Sequence, residues 1–133
     1  MTLPKPQKAQ PVNIDAIFAE RRAQLAIWEQ RATEAQAKGA QAYARLLSIA
    51  EGSDTGQASR VAAFIASTFN GYAFPFDLFE LRGLDVEISD DMMACMDALR
   101  WGKADLHKLV PEGQKRVQAL IQAWGLKSIR SQD

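Results

Sequence analysis

The chain has one cysteine and one histidine among its 133 residues. Cys95 therefore cannot form a disulfide within the chain, and the absence of any cluster of Cys or His excludes the usual zinc sites. No apolar run approaches the ~20 residues that a membrane-spanning helix requires, and the N-terminus lacks the apolar core of a signal peptide. We therefore expect a cytoplasmic protein without a metal ion, a cofactor or a membrane partner.

The net charge of zero conceals an uneven distribution. Residues 1–50 hold seven Lys/Arg and four Asp/Glu, a net charge of +3, and residues 100–133 hold seven and three, a net charge of +4. Between them, residues 51–99 hold two arginines and nine acids, a net charge of −7. Two interpretations stay open: the segments pack together and neutralise one another, or the middle segment presents an acidic surface to a basic partner.

Residues 13–51 carry the longest helical pattern. Asn13 suits the N-cap position, and the residues after it are rich in Ala, Gln, Glu and Arg, which are good helix formers. Two series of residues spaced by seven keep phase over the segment, and only Arg21 and Gly39 weaken their apolar character. One series is Phe18, Leu25, Ala32, Gly39 and Leu46, and the other is Ile14, Arg21, Trp28, Ala35, Ala42 and Ile49.

Gly39 leaves two structures open for this segment. A continuous helix would be ~55 Å long and would outrun a compact domain, so its narrow apolar stripe would need a cover. That cover is either a second copy of the helix, which makes a homodimer, or a partner protein that buries Trp28 as an anchor. A break at Gly39 would instead make a helical hairpin that buries Trp28 within the chain.

The remainder predicts four to five shorter helices. The turn Gly52–Gly56 precedes a helix, with Asp54 and Gln57 spaced as a capping box, and Asn70-Gly71 ends it. A short helix is expected near 76–82. Residues 84–88 alternate apolar and acidic like a strand, but no second strand is visible to pair with them, so we expect an extended linker.

A further helix is expected to begin at Ser89. Asp90 and Asp91 would then lie in its first turn, where the helix dipole favours acids. Asp105 would cap a short helix, and the last helix would take Pro111 into its first turn and end at Gly125.

The predicted fold is therefore all-α, with a long N-terminal helix and a compact bundle. Residues 1–12 form a flexible arm in this interpretation, and residues 127–133 form a loose tail. Residues 13–126 form a single helical domain, in which 13–51 is the long helix or hairpin and 54–126 is the bundle.

The residues that could carry chemistry favour structural roles. Cys95 lies between Met92 and Met96 on a helix, where a thiol behaves as a small hydrophobe rather than as the nucleophile of a dyad with His107. Adjacent helical residues point about 100° apart, so Asp90 and Asp91 do not share a site. The Gly52–Gly56 turn lacks the lysine of a phosphate loop. We predict no catalytic residue and no enzymatic activity.

A set of short strings stands out at residues 52–57, 76–78, 82–85, 90–92, 105–111 and 117–126. These strings resemble a family of small uncharacterised proteins found on plasmids and integrative elements of proteobacteria. The resemblance covers about residues 43–126. It implies a setting on mobile DNA in bacteria and no known activity.

Two functional hypotheses follow. The first is a non-enzymatic protein-binding module of a mobile element, in its specific form an anti-CRISPR-like inhibitor whose acids occupy the groove of a basic nucleic-acid-binding complex. Its predicted partner-binding residues are Trp28, Asp77, Glu80, Asp85, Glu87, Asp90 and Asp91. The alternative is a small regulatory or DNA-associated protein that uses the basic C-terminal residues Lys115, Arg116, Lys127 and Arg130, although a neutral composition argues against strong nucleic-acid binding.

Overall fold

The computed structural model of the protein describes residues 2–6 and 11–129. Within these ranges the chain forms helices and no strand, which confirms the all-α prediction. The α-helices are α1 (Ile14–Gly52), α2 (Gly56–Phe69), α3 (Val86–Trp101) and α4 (Gly113–Ala123), and the 3₁₀ helices are Leu78–Gly83 and Leu106–Leu109.

Helix α1 is continuous over 39 residues and passes through Gly39 without a break. Asn13 caps it as predicted, because its side-chain oxygen accepts a hydrogen bond of 3.1 Å from the amide of Ala16. Gly39 serves helix packing: a Cβ built there would lie 2.5 Å from the Cβ of Ala98 in α3. The hairpin alternative is therefore not the structure of this segment.

The chain divides into two compact units, residues 1–31 and 32–133. In the first unit, every described residue from 11 to 31 is exposed to solvent. The predicted division into an arm (1–12), one domain (13–126) and a tail (127–133) stays a prediction. Parts of that arm and tail, residues 1, 7–10 and 130–133, lie outside the described residues.

The hydrophobic core of the second unit is built from all four α-helices. Its buried members include Leu46 and Leu47 of α1, Val61, Phe64 and Ile65 of α2, Met92 and Cys95 of α3, and Val117 and Leu120 of α4. Tyr43 is fully buried among them, and its hydroxyl shares a hydrogen bond of 3.1 Å with Thr68. Burial raises the pKa of Tyr43 to about 12.

The predicted start of α2 is wrong by one residue. Thr55, not Asp54, is the N-cap, and its hydroxyl accepts a hydrogen bond of 3.1 Å from the amide of Ala58. Gln57 therefore takes no part in a capping box, and its side chain forms hydrogen bonds with Asp85 instead. The predicted C-terminal boundary is confirmed, because α2 ends at Phe69 with Asn70 as its C-cap.

The extended linker predicted over 84–88 is also wrong, since α3 begins at Val86. Leu84, Ile88 and Met92 are spaced by four, and all three pack in or against the core. A spacing of four predicts a helix, whereas the alternation of apolar and acidic residues over 84–88 is short, and the described chain has no second strand to satisfy the backbone hydrogen bonds of a strand there. The helix is therefore the structure that forms. Asp90 and Asp91 consequently lie in the second turn of α3, and Glu87 is the acid of its first turn.

Helix α4 begins at Gly113, so Pro111 precedes the helix instead of entering its first turn. Glu112 stands between them with a positive φ of 56°. The end of α4 matches its prediction. Gly125 has a φ of +63°. Its amide donates a hydrogen bond to the carbonyl of Gln122, and the amide of Leu126 donates one to the carbonyl of Ile121, which together form a Schellman motif.

Candidate functional site

Most of the carboxylates predicted to bind a partner lie in one stretch, residues 77–90, which covers the first 3₁₀ helix and the first turns of α3. Asp77 precedes the first 3₁₀ helix, and its carboxylate accepts a hydrogen bond of 3.0 Å from the amide of Phe79. Glu87 and Asp90 lie on the first two turns of α3, and all three side chains are exposed. None of the three has an ion-pair partner within the described part of the chain.

Asp85 is held in place by the start of α2. The side-chain amide of Gln57 donates to the Asp85 carboxylate at 3.2 Å, and its oxygen accepts from the Asp85 backbone amide at 2.8 Å. These two bonds fix the point at which α3 begins. They leave Asp85 exposed and without a cationic partner among the described residues.

Glu80 and Asp91 are already paired within the chain. Arg60 donates to Glu80 at 2.5 Å and to the carbonyl of Gly83 at 3.0 Å, which ties α2 to the first 3₁₀ helix. Arg45 of α1 makes a bidentate pair with Asp91 of α3, with bonds of 3.0 and 2.8 Å. The hydrogen bond to Asp91 raises the pKa of Arg45.

The Arg45–Asp91 pair shows that part of the acidic middle is neutralised by a flanking segment. Glu51 follows the same pattern, because Arg116 of α4 makes a bidentate contact with it. Asp97 is paired with Arg100. The four carboxylates that remain without ion pairs in stretch 77–90 are Asp77, Asp85, Glu87 and Asp90.

Three large apolar side chains stand exposed between those carboxylates. Leu78 is 66% exposed, Phe79 is 69% exposed and Val86 is 72% exposed. The guanidinium of Arg82 lies 5.0 Å from the centre of the Phe79 ring. The sequence interpretation missed these residues as surface candidates, because their high apolar density resembles a core segment. We call the four carboxylates and these three apolar side chains the acidic–apolar surface.

A groove of about 660 Å³ adjoins this surface between α1 and α3. Its apolar lining comes from Ala44, Ile49 and Ile88. Its polar lining comes from Ser48, the Arg45–Asp91 pair and the unpaired carboxylate of Glu87. The groove thus offers apolar area next to a free negative charge.

Trp28, the remaining predicted partner-binding residue, belongs to the other unit. Its side chain is 45% exposed. It shares the exposed apolar stripe of α1 with Ile14, Phe18 and Leu25, which are spaced by three, four and seven residues. The structure therefore presents two separate sets of exposed apolar residues, one in each unit.

The basic C-terminal residues are less available than their sequence indicates. Arg116 is held by both carboxylate oxygens of Glu51. Lys115 and Lys127 are exposed. Arg130 lies outside the described residues.

Cys95 and His107 do not form a dyad. Cys95 is fully buried, and its thiol contacts the carbonyl of Gly39 at 3.9 Å. Burial raises the pKa of this thiol to about 12, which opposes formation of a nucleophilic thiolate. The ring of His107 packs edge-on against Phe69 with centroids 5.0 Å apart. No hydrogen bond joins the two residues in the described structure.

Two further properties concern the described residues as a set. They contain no group of three or more His, Cys, Asp or Glu side chains arranged to hold a metal ion. No described helix is both long enough and apolar enough to cross a membrane.

Comparison with known proteins gives one match. Residues 40–125 match a family of unknown function, DUF7673. No curated protein and no solved structure matches the chain. The match contains the acidic–apolar surface and the adjoining groove, and it excludes residues 14–31.

Proposed function

We propose that this chain, which belongs to the family of unknown function DUF7673, is a non-enzymatic protein-binding module whose acidic–apolar surface recognises a basic partner. The observation that carries the proposal is the composition of stretch 77–90. Four carboxylates without ion pairs stand there among three large apolar side chains that are 66 to 72% exposed. Isolated exposed apolar residues are ordinary, but several in one short acidic stretch are typical of a recognition surface.

The carboxylates and the apolar side chains would contribute to binding in different ways. The carboxylates attract a basic partner over distance and set its orientation, and this contribution weakens as salt concentration rises. Phe79 and Leu78 supply apolar area that is removed from water on contact, which slows dissociation. The groove beside Glu87 extends the same combination towards α1. A basic amphipathic segment is the partner that fits both.

In the specific form of the proposal, the protein is an anti-CRISPR-like inhibitor carried by a bacterial mobile element. Its acids would occupy a groove that otherwise holds the phosphates of a nucleic acid. The resemblance to proteins of plasmids and integrative elements supports the setting. The charge of the surface supports the mode of binding, because a competitor of phosphate needs exposed acids that are not already paired.

The experiment is affinity purification from the native host, followed by binding measurements with whatever basic protein is captured. The test variant is Glu87→Lys with Asp90→Lys, since neither side chain makes a described ion pair. The control is Glu20→Lys with Asp54→Lys, which makes the same charge change at exposed positions outside stretch 77–90. We expect the test variant to lose most of its binding and the control to keep it.

Competition separates the specific form from the general one. If the partner's nucleic acid and this protein displace each other, the inhibitor form is supported. Equal binding by the test and control variants would refute the acidic–apolar surface. A shift of duplex DNA by the pure protein that disappears with Lys115→Glu would favour the DNA-associated alternative.

A further inference from the structure

The first unit exposes an apolar stripe that nothing in the described chain covers. Ile14, Ile17, Phe18, Leu25 and Trp28 are each 41 to 61% exposed. They lie within two heptads of one continuous helix. We estimate their exposed apolar area at about 500 Å², which is at the upper range of the largest apolar patch on a typical monomer.

We propose that a second copy of the chain covers the part of this stripe from Ile14 to Leu25, with the two helices antiparallel over residues 14–25. Phe18 and Leu25 are spaced by seven residues, and Ile14 and Trp28 are spaced by fourteen, which is the heptad pattern by which helices pair along their length. The four apolar side chains of this segment, Ile14, Ile17, Phe18 and Leu25, would bury about 750 Å² of apolar surface between the two copies, and the flanking polar side chains add to this. The total then approaches the lower limit of about 1,000–1,200 Å² for a specific interface, so the expected dimer is weak and depends on concentration.

Arg21 decides the orientation of the pair. It occupies a stripe position between Phe18 and Leu25. In a parallel dimer each Arg21 would face Arg21 of the other copy inside the interface, where like charges destabilise the complex. In an antiparallel dimer Arg21 faces an apolar residue of the other copy, and its long stem packs there while the guanidinium reaches solvent.

The charges beside the stripe select one antiparallel register. Asp15 and Arg22 occupy equivalent positions one heptad apart, and neither has an ion pair in the described structure. When Ile14 packs against Leu25 of the second copy, Phe18 packs against Arg21 of that copy, which also permits a cation–π contact. Asp15 then stands beside Arg22 of the second copy, and the twofold symmetry repeats this pair.

The neighbouring register is less favourable. A shift by one heptad places Phe18 against Trp28 of the second copy, but it brings Arg22 beside Arg22 and Asp15 beside Glu29. Like charges would then meet on the same side of the interface. The register with two Asp15–Arg22 pairs is therefore the one that the sequence of residues 14–28 favours.

This inference stands apart from the proposed function. The stripe lies outside the family match at 40–125, and the acidic–apolar surface lies inside it. The two proposals can therefore fail independently. A dimer that binds no basic partner would refute only the proposed function, and a monomer that binds a basic partner would refute only the dimer.

The test is sedimentation equilibrium of the full chain over a range of concentrations. We expect the wild type to dimerise, and Arg22→Glu or Asp15→Arg alone to raise the dissociation constant about 10-fold or more, because two attractive pairs become repulsive. The double variant with both substitutions should return the dissociation constant to within about threefold of the wild type. Glu20→Arg, a charge reversal away from the stripe, is the matched control and should have no effect.

Circular dichroism of each variant checks that the helix persists. A wild type that stays monomeric at its highest soluble concentration would overturn the proposal. So would a double variant as weak as the single ones, or a stripe that is covered only when a different protein binds.

Discussion

Gly113 lies where the backbone has the least space for a side chain. A Cβ built at this position would lie 1.7 Å from the carbonyl oxygen of His107 and 2.9 Å from a methyl group of Val110. The first of these atoms belongs to the backbone, so no rotation of a side chain can relieve the contact. Glycine is therefore required for the second 3₁₀ helix to pack against the first turn of α4.

We predict that Gly113→Ala destabilises the protein by about 3 kcal/mol or more, because the second 3₁₀ helix and α4 must separate to admit the methyl group. Chemical denaturation of the variant and the wild type measures the difference. Gly125→Ala is a useful comparison, since Gly125 has a φ of +63° but nothing within 4 Å of its Cβ position. It should cost about 1 kcal/mol, from backbone strain alone. Equal costs at the two positions would contradict the steric explanation.

Cys95 is predicted to be dispensable for folding at neutral pH. Its thiol fills part of the core beside Met92, and Cys95→Ala should lose about 1–2 kcal/mol through the smaller volume. The folded variant should keep any partner binding, because the side chain is fully buried. Loss of binding in a normally folded Cys95→Ala protein would assign the thiol a functional role.

Alkaline unfolding provides a pH-dependent test of the same core. Burial raises the pKa of Cys95 from 9.0 to about 12 and that of Tyr43 from 10.0 to about 12. Above pH 9 the unfolded chain therefore binds fewer protons than the folded chain, so the free energy of unfolding falls as the pH rises towards 12. In Cys95→Ala the fall should begin about one pH unit higher, where Tyr43 alone contributes. Denaturant titrations at pH 8 to 12 measure both curves, and identical onsets would refute the contribution of the thiol.

At the scale of elements, Gly39 allows α1 to pack closely against α3 although it lowers the intrinsic stability of the helix. Glycine lowers helix stability by ~1 kcal/mol relative to alanine, yet α1 continues through Gly39 for a further 13 residues, to Gly52. The close approach of Ala98 explains why the glycine is there. The Arg45–Asp91 pair joins the same two helices one to two turns away. Together these contacts make α1 and α3 a closely packed pair in the second unit.

We predict opposite effects for alanine at the two glycines of α1. Gly39→Ala should destabilise the protein by about 1–3 kcal/mol, since its Cβ would lie 2.5 Å from that of Ala98 and would push α3 away. Gly52→Ala should be neutral or stabilising by up to about 1 kcal/mol, since nothing lies within 4 Å of its Cβ position and alanine is the better helix former. Thermal melting of both variants decides this. Stabilisation by Gly39→Ala would show that helix propensity outweighs the close packing.

At the scale of the whole molecule, the two units contribute unequally to stability. All the buried residues of the described chain lie from Ala32 onwards, and none lies between residues 11 and 31. The first unit can therefore be removed without opening the core of the second. Its exposed stripe serves association in our proposal and adds no packing to the core.

We predict that a fragment of residues 32–133 folds cooperatively and keeps the unfolding free energy of the wild-type monomer to within about 1 kcal/mol. The comparison must be made at low protein concentration, where dimerisation does not stabilise the full chain. Sedimentation should find the fragment monomeric at every concentration, and it should still bind a basic partner through the acidic–apolar surface. An unfolded fragment would show that the first unit takes part in folding.

The sequence by itself determined the fold class and the caps that depend on neighbouring residues. Asn13, Asn70 and Gly125 were assigned correctly because capping involves atoms only a few residues apart. It also located the carboxylates of stretch 77–90, since charge is visible in composition. Whether those carboxylates are exposed, and which of them are paired, could not be read from composition.

Only the tertiary structure decided those points, because each depends on a residue far along the chain. Arg45 reaches Asp91 across 46 positions, which removes one predicted partner-binding acid, and Gln57 meets Asp85 across 28 positions, where α3 begins. The sequence left a break at Gly39 open because helix propensity is a local property, whereas the contact of Gly39 with Ala98 is not local. The sequence did not single out Leu78, Phe79 and Val86 as surface residues, because hydrophobicity alone does not show in which direction a side chain points. Burial is settled by which surfaces the other helices leave uncovered, and that is a property of the assembled bundle.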